Sequence, residues 1–193
     1  ARARMMAEYL KGAMAAVLGV PTEDLISFAQ KAREQLQSEG NSIDQSVVLV
    51  ANFNTYDQLV LSGNASAVNT AAVLAKAKGG RIIPLPVGGA FHSPLMRAAA
   101  SEFSLLLDQI NFNDTQCFVV QNYDAKPAKA QSDLKMKLKK QMENPVRWCE
   151  TIESMLASGV DTFVEIGPGK VLTGMVKKID KSAKLYNVFD SQS

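Results

Sequence analysis

The chain contains a single histidine, His92, in a setting that favours chemistry. It lies in GGAFHSPLM, a glycine-rich turn directly before a helix that Pro94 is expected to open. Imidazole takes up and releases a proton near neutral pH, and working residues are often carried by loops on rigid scaffolds. A lone histidine is also commonly a structural or surface residue. The residues alone therefore predict either a general base or a structural histidine at this turn.

Neither a nucleophile nor an acidic partner for His92 is evident from spacing. Ser93 is its neighbour, but residues i and i+1 do not face each other on a helix, so a nucleophile must come from elsewhere in the fold. The two cysteines, Cys117 and Cys149, lack metal-ligand spacing. We therefore expect no metal site, and a thiol-reducing compartment is the simplest interpretation of the cysteines.

A second motif is GPGK at 167–170, between the strand-like run DTFVEI and a helical pattern. Such a turn aims backbone N–H groups and a helix N-terminus at an anion, as phosphate-binding loops do. The spacing departs from G-x-x-x-x-G-K-[ST], because Leu172 and Thr173 follow where the loop needs its second half. A tight strand-to-helix turn is the favoured interpretation, and a phosphate loop is the alternative.

Basic side chains are concentrated in the C-terminal half. Residues 126–147 carry seven basic and two acidic side chains, and residues 170–184 carry five and one, although the formal charge of the whole chain is +2. Such surfaces attract nucleic acid, a phosphorylated cofactor or an acidic carrier protein, and solvated helix faces are the simpler alternative. The strands lack the alternating aromatic residues of an RNA-binding platform.

The overall composition is that of a globular protein, with 47% hydrophobic and 21% charged residues in 193 positions. It excludes a disordered tail and a disulfide-stapled miniprotein. No apolar run reaches the length of a membrane span.

Hydrophobic periodicity predicts two groups of elements around these residues. The first group has strand-like runs at 13–18, 47–51, 58–62 and 81–87 and helical patterns from Thr22 and from about residue 65. Their order, β-α-β-β-α-β, is typical of a ferredoxin-like unit. The second group has a helix from Pro94, a strand-like run at 116–122, helices at 133–141 and after Pro145, and a strand at 161–166 followed by a helix. We place the boundary near residue 88.

Three blocks of the chain, GAFHSPLM, QMENPVRW and VEIGPGKVLTGMVKK, occur in an order that resembles the C-terminal two thirds of malonyl-CoA:acyl carrier protein transacylases. RARMMAE and NFNTYDQLVLSG extend the resemblance over nearly the whole chain. It implies an α/β fold with a ferredoxin-like (βαββαβ) small subdomain at 12–88. Residues 1–11 and 89–193 would then form part of a larger α/β-hydrolase-like subdomain.

The resemblance also implies roles for five residues. His92 would be the general base for a serine nucleophile, and the backbone carbonyl of Gln141 would orient it in place of an acidic residue. Arg2 would bind the malonyl carboxylate through two parallel hydrogen bonds. Asn54 would contact the substrate or its pantetheine arm, and Phe91 would favour malonyl over a methyl-branched group. Without the resemblance, Gln141 and Arg2 are ordinary surface residues and Asn54 is a turn former.

The implied reaction is transfer of malonyl from coenzyme A to the phosphopantetheine thiol of acyl carrier protein through an acyl-serine intermediate. The coenzyme A thioester is a substrate, and no cofactor or metal is expected. We expect malonyl-CoA and acyl carrier protein as partners, with no nucleic acid and no membrane. The Lys-rich segments 126–140 and 170–184 are the expected docking surfaces, and Lys137 and Lys140 are expected to contact the carrier protein. We expect a monomer that is cytoplasmic, or organellar if a eukaryotic transit peptide lies upstream. Fatty-acid synthesis and polyketide synthesis both remain open.

The sequence also departs from the family pattern. The G-H-S-x-G turn that carries the nucleophile and the G-Q-G-S-Q oxyanion loop do not occur in these residues. We therefore expect a longer parent protein and an inactive isolated chain. A non-catalytic, truncated homologue that binds acyl carrier protein is the main alternative. An RNA-binding ferredoxin-like domain is a third interpretation, but it uses only residues 12–88.

Overall fold

The computed structural model describes Arg4 and residues 12–189. Arg2 and most of the N-terminal segment 1–11 therefore lie outside the described residues. The described part is an α/β structure with three β-sheets and six α-helices.

The first group of elements has the order β-α-β-β-α-β, so this prediction is confirmed. Its members are β1 (Ala13–Leu18), α1 (Thr22–Ser38), β2 (Val48–Thr55), β3 (Gln58–Gly63), α2 (Ala65–Ala77) and β4 (Arg81–Pro84). The four strands form one antiparallel sheet in the order β2-β3-β1-β4. β4 lies at an edge of this sheet, as Pro84 at its end and Pro86 just after it predict.

One face of the sheet is covered by α1 and α2. The predicted apolar face of α1 is buried, and its residues are Leu25, Ala29, Ala32 and Leu36. They belong to the same apolar cluster as Leu59 and Leu61 of β3. Full burial of one leucine side chain stabilises the folded state by roughly 1.5–3 kcal/mol. This cluster therefore makes the sheet a rigid platform for whatever lies on its other face.

The opposite face of the sheet supports the segment that carries His92. A smaller apolar cluster covers this face, formed by Met14, Ala16, Ala51 and Val60. Phe91 packs against this cluster. Gly12, just before β1, lies so close to Ala90 that an added Cβ would stand 2.5 Å from the Ala90 Cβ. The turn at 90–92 is thus pressed directly against the sheet, which only a glycine at position 12 permits.

The second group of elements contains four helices and four short strands. They are a 3-10 turn (Pro94–Met96), α3 (Arg97–Asp108), β5 (Val119–Val120), β6 (Pro127–Ala128), α4 (Gln131–Gln141), α5 (Trp148–Ala157), β7 (Thr162–Ile166), α6 (Val171–Ile179) and β8 (Lys184–Val188). The helices predicted after Pro94, near 133–141 and after Pro145 are confirmed, as is the strand near 161–166.

Four strands differ from the sequence predictions. β2 continues to Thr55, beyond the predicted end at residue 51, and β4 ends at Pro84, short of the predicted residue 87. The run at 116–122 forms only the two-residue strand β5, because its partner β6 ends at Ala128, shortly before α4 begins. β8 was not predicted, and it pairs with β7 in a parallel register. A parallel partner is supplied by tertiary structure, so the local pattern of KLYNV does not reveal it.

Main-chain hydrogen bonds at Val146 join the two groups. The Val146 N–H donates to the Ala51 carbonyl at 2.8 Å, and the Val146 carbonyl accepts from the Phe53 N–H at 2.9 Å. Residue 146 thus extends the sheet beside its edge strand β2. The connection between α4 and α5 is therefore fixed to the same sheet that supports the His92 turn.

The core of the first group can be tested with neighbouring positions of α1. Leu25 is fully buried, whereas Ile26 is 47% exposed. We expect Leu25→Ala to lower the free energy of unfolding by about 2–5 kcal/mol, because it leaves a cavity under the sheet. Ile26→Ala is the matched control and should cost less than about 1 kcal/mol. Urea unfolding followed by circular dichroism measures both, and equal losses would contradict this description of the core.

Candidate active site

His92 lies in the turn between β4 and the 3-10 turn, with a half-buried ring and a left-handed backbone φ of 59°. This conformation is uncommon for residues other than glycine and costs of order 1–3 kcal/mol. The neighbouring groups hold it in place. Ser62 on β3 is fully buried, and its hydroxyl donates to the Phe91 carbonyl at 2.7 Å. The peptide that precedes His92 is therefore tied directly to the sheet.

The His92 ring faces two backbone carbonyls. Its Nδ1 lies 2.9 Å from the carbonyl oxygen of Gln141 and 3.2 Å from that of Asn144. A carbonyl oxygen can only accept, so Nδ1 must carry the proton. In the neutral ring, the lone pair available for proton uptake then belongs to Nε2. The assignment of this tautomer follows from the hydrogen-bond network.

The Gln141 carbonyl is available because of its place in α4. Gln141 is the last residue of that helix, and the last carbonyls of a helix have no partner within it. They also form the negative end of the helix dipole, which favours a nearby cation by about 0.3–1 kcal/mol. A positively charged imidazolium at His92 is thus stabilised by the end of α4.

Phe91 lies between the two groups of elements. It packs against the cluster on the sheet and against a second cluster formed by Met96, Ala99, Ala100 and Met142. Its ring is also close to Gly89, where an added Cβ would meet a ring carbon at 2.5 Å. Phe91 therefore fixes the His92 turn by packing, whatever its effect on substrate selection.

The structure brings together His92, Gln141 and Phe91. Asn54 lies on the neighbouring strand β2, where it is half-buried, and Arg2 is outside the described residues. Sequence reasoning missed Asn144, which supplies the second carbonyl to His92. The signal was present in QMENPVRW, because Asn-Pro favours a turn directly after a helix.

Ser93 has a structural role. Its side chain is fully buried, and its hydroxyl donates to the Ala90 carbonyl at 2.6 Å. The same oxygen accepts from the Leu95 N–H, which caps the 3-10 turn. This supports the prediction that a nucleophile for His92 comes from elsewhere. Cys149 is also unsuited to that task, because burial raises the pKa of its thiol to about 11.

The GPGK turn does not offer an anion site. The carboxylate of Glu165 on β7 accepts from the Thr173 N–H at 2.8 Å and from the Leu172 N–H at 3.1 Å. These are N–H groups of the first turn of α6, where an external phosphate would bind. The phosphate-loop alternative is therefore wrong, since the chain's own carboxylate occupies the position. The hydrogen bond from the Thr173 N–H, with that from Leu172, holds the pKa of Glu165 below its usual range.

One predicted docking residue is also wrong. Lys137 is only 3% exposed, and its Nζ lies 3.2 Å from Asp124 and 3.3 Å from Asp133. It also donates to the Lys126 carbonyl at 3.1 Å. A buried lysine with two carboxylates around it holds a loop to α4 and cannot contact a partner protein. The charge count could not reveal this, because it does not distinguish buried from exposed lysines.

Some of the accessible basic groups lie beside the His92 turn. A groove of about 540 Å³ between α3 and α4 is lined by Arg97, Lys139, Lys140 and Glu143. A smaller groove of about 270 Å³ shares Arg97 and Lys140 and reaches Asn144. Lys140 is exposed, whereas Lys139 is paired with Asp108. The accessible positive charge therefore leads towards the residue whose carbonyl faces His92.

Two further observations concern metals and membranes. Within residues 12–189, no group of three or more His, Cys, Asp or Glu side chains is placed to hold a metal ion. None of the helices in the described part of the chain is long and apolar enough to cross a membrane.

In this α/β structure the turn after β4 presents a histidine whose Nδ1 faces two backbone carbonyls. Comparison with known proteins identifies the family, since residues 2–189 match the model of the acyl transferase domain. The chain therefore belongs to the acyl transferase domain family. This match includes residues 89–189, which the RNA-binding interpretation left unexplained.

Individual relatives agree with this assignment. The malonyl CoA-acyl carrier protein transacylase of Bacillus subtilis is 42% identical over 184 residues, which are 95% of this chain and 55% of the relative. Among solved structures, MCAT from Streptococcus pneumoniae is 38% identical with a TM-score of 0.88, and the match covers 99% of this chain and 60% of that one. PlMCAT, a malonyl-transacylase solved with the type II PKS acyl-carrier protein AntF, is 33% identical with a TM-score of 0.89, at 99% and 60% coverage. The chain thus spans about half the length of the curated relatives that it matches.

The internal cap at Glu165 can be tested by pH-dependent unfolding. Because the pKa of Glu165 is lowered in the folded state, its stabilising contribution is present above the unfolded pKa of roughly 4.3. It is lost as the pH falls through the folded pKa. We expect Glu165→Gln to lower the free energy of unfolding at pH 7 and to approach the wild type in strong acid. Glu34→Gln, on the exposed face of α1, is the control. Equal effects of the two substitutions at pH 7 would contradict the cap.

Proposed function

We propose that this chain supplies the histidine side of an active site that transfers malonyl from malonyl-CoA to the phosphopantetheine thiol of acyl carrier protein. The observation that carries the proposal is the contact of His92 Nδ1 with the Gln141 carbonyl at 2.9 Å. It leaves Nε2 as the basic nitrogen of His92, the only histidine among these 193 residues, which match the acyl transferase domain. The names of the relatives support malonyl as the acyl group, and the PlMCAT complex supports an acyl carrier protein as the acceptor.

In the proposed mechanism, His92 handles one proton in each half-reaction. Nε2 takes the proton from a serine hydroxyl while the serine oxygen attacks the thioester carbonyl, and the proton then goes to the departing coenzyme A thiolate. In the second half, Nε2 takes the proton of the carrier thiol, whose sulfur attacks the acyl-serine, and returns it to the serine oxygen. The Gln141 carbonyl stabilises the imidazolium between these steps. The serine belongs to a G-H-S-x-G turn outside these 193 residues.

Three residues are proposed to bind substrate. Arg2 holds the malonyl carboxylate with its planar guanidinium, which suits two parallel hydrogen bonds. Phe91 limits the space beside the acyl group, and Asn54 contacts the substrate or its pantetheine arm. The coenzyme A thioester is a substrate in this scheme, and the reaction uses no cofactor or metal.

We also propose that residues 12–88 form a ferredoxin-like small subdomain. The antiparallel strand order β2-β3-β1-β4, with both helices packed on one face, supports this. Residues 1–11 and 89–193 then form part of a larger α/β-hydrolase-like subdomain. Parallel strands are normally covered on both faces. One face of the β7-β8 pair is exposed and apolar, through Val164, Ile166, Tyr186 and Val188, and it suits packing against the remainder of such a subdomain.

The acyl carrier protein is proposed to dock on the groove between α3 and α4. Arg97 and Lys140 place positive charge there for an acidic partner, close to Asn144 and His92. We propose a monomeric protein that acts in the cytoplasm, or in an organelle, without nucleic acid or membrane. The non-catalytic homologue that binds acyl carrier protein is the second candidate, favoured by the lack of G-H-S-x-G in these residues. Intact mass and acyl-serine formation by the protein expressed from its complete gene distinguish the two.

The role of His92 is tested in that protein. We expect His92→Ala to slow the burst of malonyl-enzyme formation by about 10²–10⁴-fold, because His92 Nε2 is the group proposed to take the serine proton. Rapid quench with radiolabelled malonyl-CoA measures the burst. His92→Asn is a second variant, because asparagine tolerates the left-handed backbone. A burst of unchanged rate and amplitude in both variants would remove His92 from the mechanism.

The docking surface is tested by charge reversal. We expect Lys140→Glu to raise the apparent KM for acyl carrier protein roughly five- to tenfold, because it adds repulsion against an acidic partner. The KM for malonyl-CoA should change less. Lys76→Glu, on the exposed side of α2, is the control. If the two substitutions alter the carrier KM equally, the carrier docks elsewhere.

A further inference from the structure

The turn that follows α4 is held by side chains of its own residues. Gln141 Nε2 lies 3.2 Å from the Asn144 carbonyl oxygen and 3.2 Å from the Pro145 carbonyl oxygen. Asn144 Nδ2 donates to the Lys140 carbonyl at 2.8 Å. An amide NH₂ group has two donors, so Gln141 can serve both of its carbonyls at once.

These bonds close a ring with the histidine. His92 Nδ1 faces the carbonyls of Gln141 and Asn144, and the Gln141 side chain reaches the second of these carbonyls. Each carbonyl oxygen has two lone pairs, so the Asn144 oxygen can accept from the histidine and from the glutamine together. One residue thus positions both acceptors, the first through its own backbone and the second through its side chain.

The ring is also anchored to the sheet. Val146 follows Pro145 directly, and its N–H and carbonyl bond to Ala51 and Phe53 on either side of β2 residue 52. The other side of the site is tied to β3 by the hydrogen bond from Ser62 to the Phe91 carbonyl. The His92 turn and the turn after α4 are therefore both bonded to the same four-stranded sheet.

We propose that the Gln141 side chain is a positioning residue for His92, with Asn144 as its partner. The effect of Gln141 on catalysis rests on the proposed function. Its effect on the position of the His92 proton does not depend on that function. The amide keeps the Asn144 carbonyl beside that of Gln141, so that both face Nδ1, hold the proton there and leave Nε2 as the base. A glutamate of the same shape would oppose two carbonyl oxygens with a carboxylate and would supply no donor. Position 141 therefore requires a side chain that donates hydrogen bonds, in addition to a backbone carbonyl at this place.

The experiment measures the Nδ1 proton directly. His92 is the only histidine of the 193-residue chain, so labelling with ¹⁵N-histidine yields one imidazole spin system. We expect a slowly exchanging Nδ1 proton in the wild type. Gln141→Glu should accelerate its exchange with solvent by about tenfold or more, since hydrogen bonds that hold the acceptors are lost. Asn144→Ala removes only the bond to Lys140 and should have a smaller effect in the same direction.

Gln131→Glu is the matched control, because it makes the same change at the exposed first residue of α4. It should leave the exchange rate unchanged. Circular dichroism spectra and thermal midpoints of all variants show whether the fold is retained, and Gln141→Ala replaces Gln141→Glu if the latter fails to fold. In the protein expressed from its complete gene, Gln141→Ala should lower kcat about tenfold with little change in the KM for malonyl-CoA.

The outcomes distinguish the positioning role of Gln141 from the proposed catalytic role of His92. Wild-type exchange rates in folded Gln141→Glu or Gln141→Ala would overturn the positioning role. Faster exchange in these variants supports it, even if malonyl transfer is not detected in any form of the protein. Normal activity of His92→Ala would instead overturn the proposed function and leave the exchange result intact.

Discussion

The hydrogen bond between His92 Nδ1 and the Gln141 carbonyl is the interaction on which the rest of the structure depends. It joins the turn after β4 to the end of α4, and both of these segments are also bonded to the sheet of the first group. It also determines which nitrogen can take up a proton, because a proton held at Nδ1 puts the lone pair of the neutral ring on Nε2. The end of α4 faces Nδ1 with a backbone carbonyl, whereas the histidine of a Ser-His-Asp triad faces a carboxylate. The fold therefore has to deliver the C-terminus of one helix to one particular turn.

Packing and main-chain bonds satisfy that requirement from both sides. Phe91 is wedged between two apolar clusters, and Ser62 holds the Phe91 carbonyl. Val146 holds the α4 turn to β2. These contacts also maintain the left-handed backbone at His92, whose cost of order 1–3 kcal/mol must be met by its surroundings. Strain of this kind persists at functional sites because neighbouring contacts leave no alternative conformation.

Helices and strands with a periodic pattern of apolar residues could be predicted from the sequence. Leu25, Ala29, Ala32 and Leu36 indicated the buried face of α1, and the order of the first six elements followed from similar patterns. Contacts between residues far apart in the chain could not be predicted. Lys137 counted as surface charge, although two aspartates surround it, and Glu165 gave no sign that it caps α6. The role of the Gln141 backbone came only from family resemblance, because a backbone carbonyl leaves no signature in the residue type.

The proton on His92 Nδ1 is the feature on which the proposed role of this histidine depends, and the tautomer of the ring tests it most directly. In the 193-residue chain labelled with ¹⁵N-histidine, a two-bond ¹H–¹⁵N correlation spectrum at a pH where the ring is neutral distinguishes the two nitrogens. The structure requires the Nδ1–H form, with Nε2 showing the chemical shift of an unprotonated nitrogen. A ring protonated at Nε2 would contradict the account, because the two carbonyls would then face a lone pair and no base would be available.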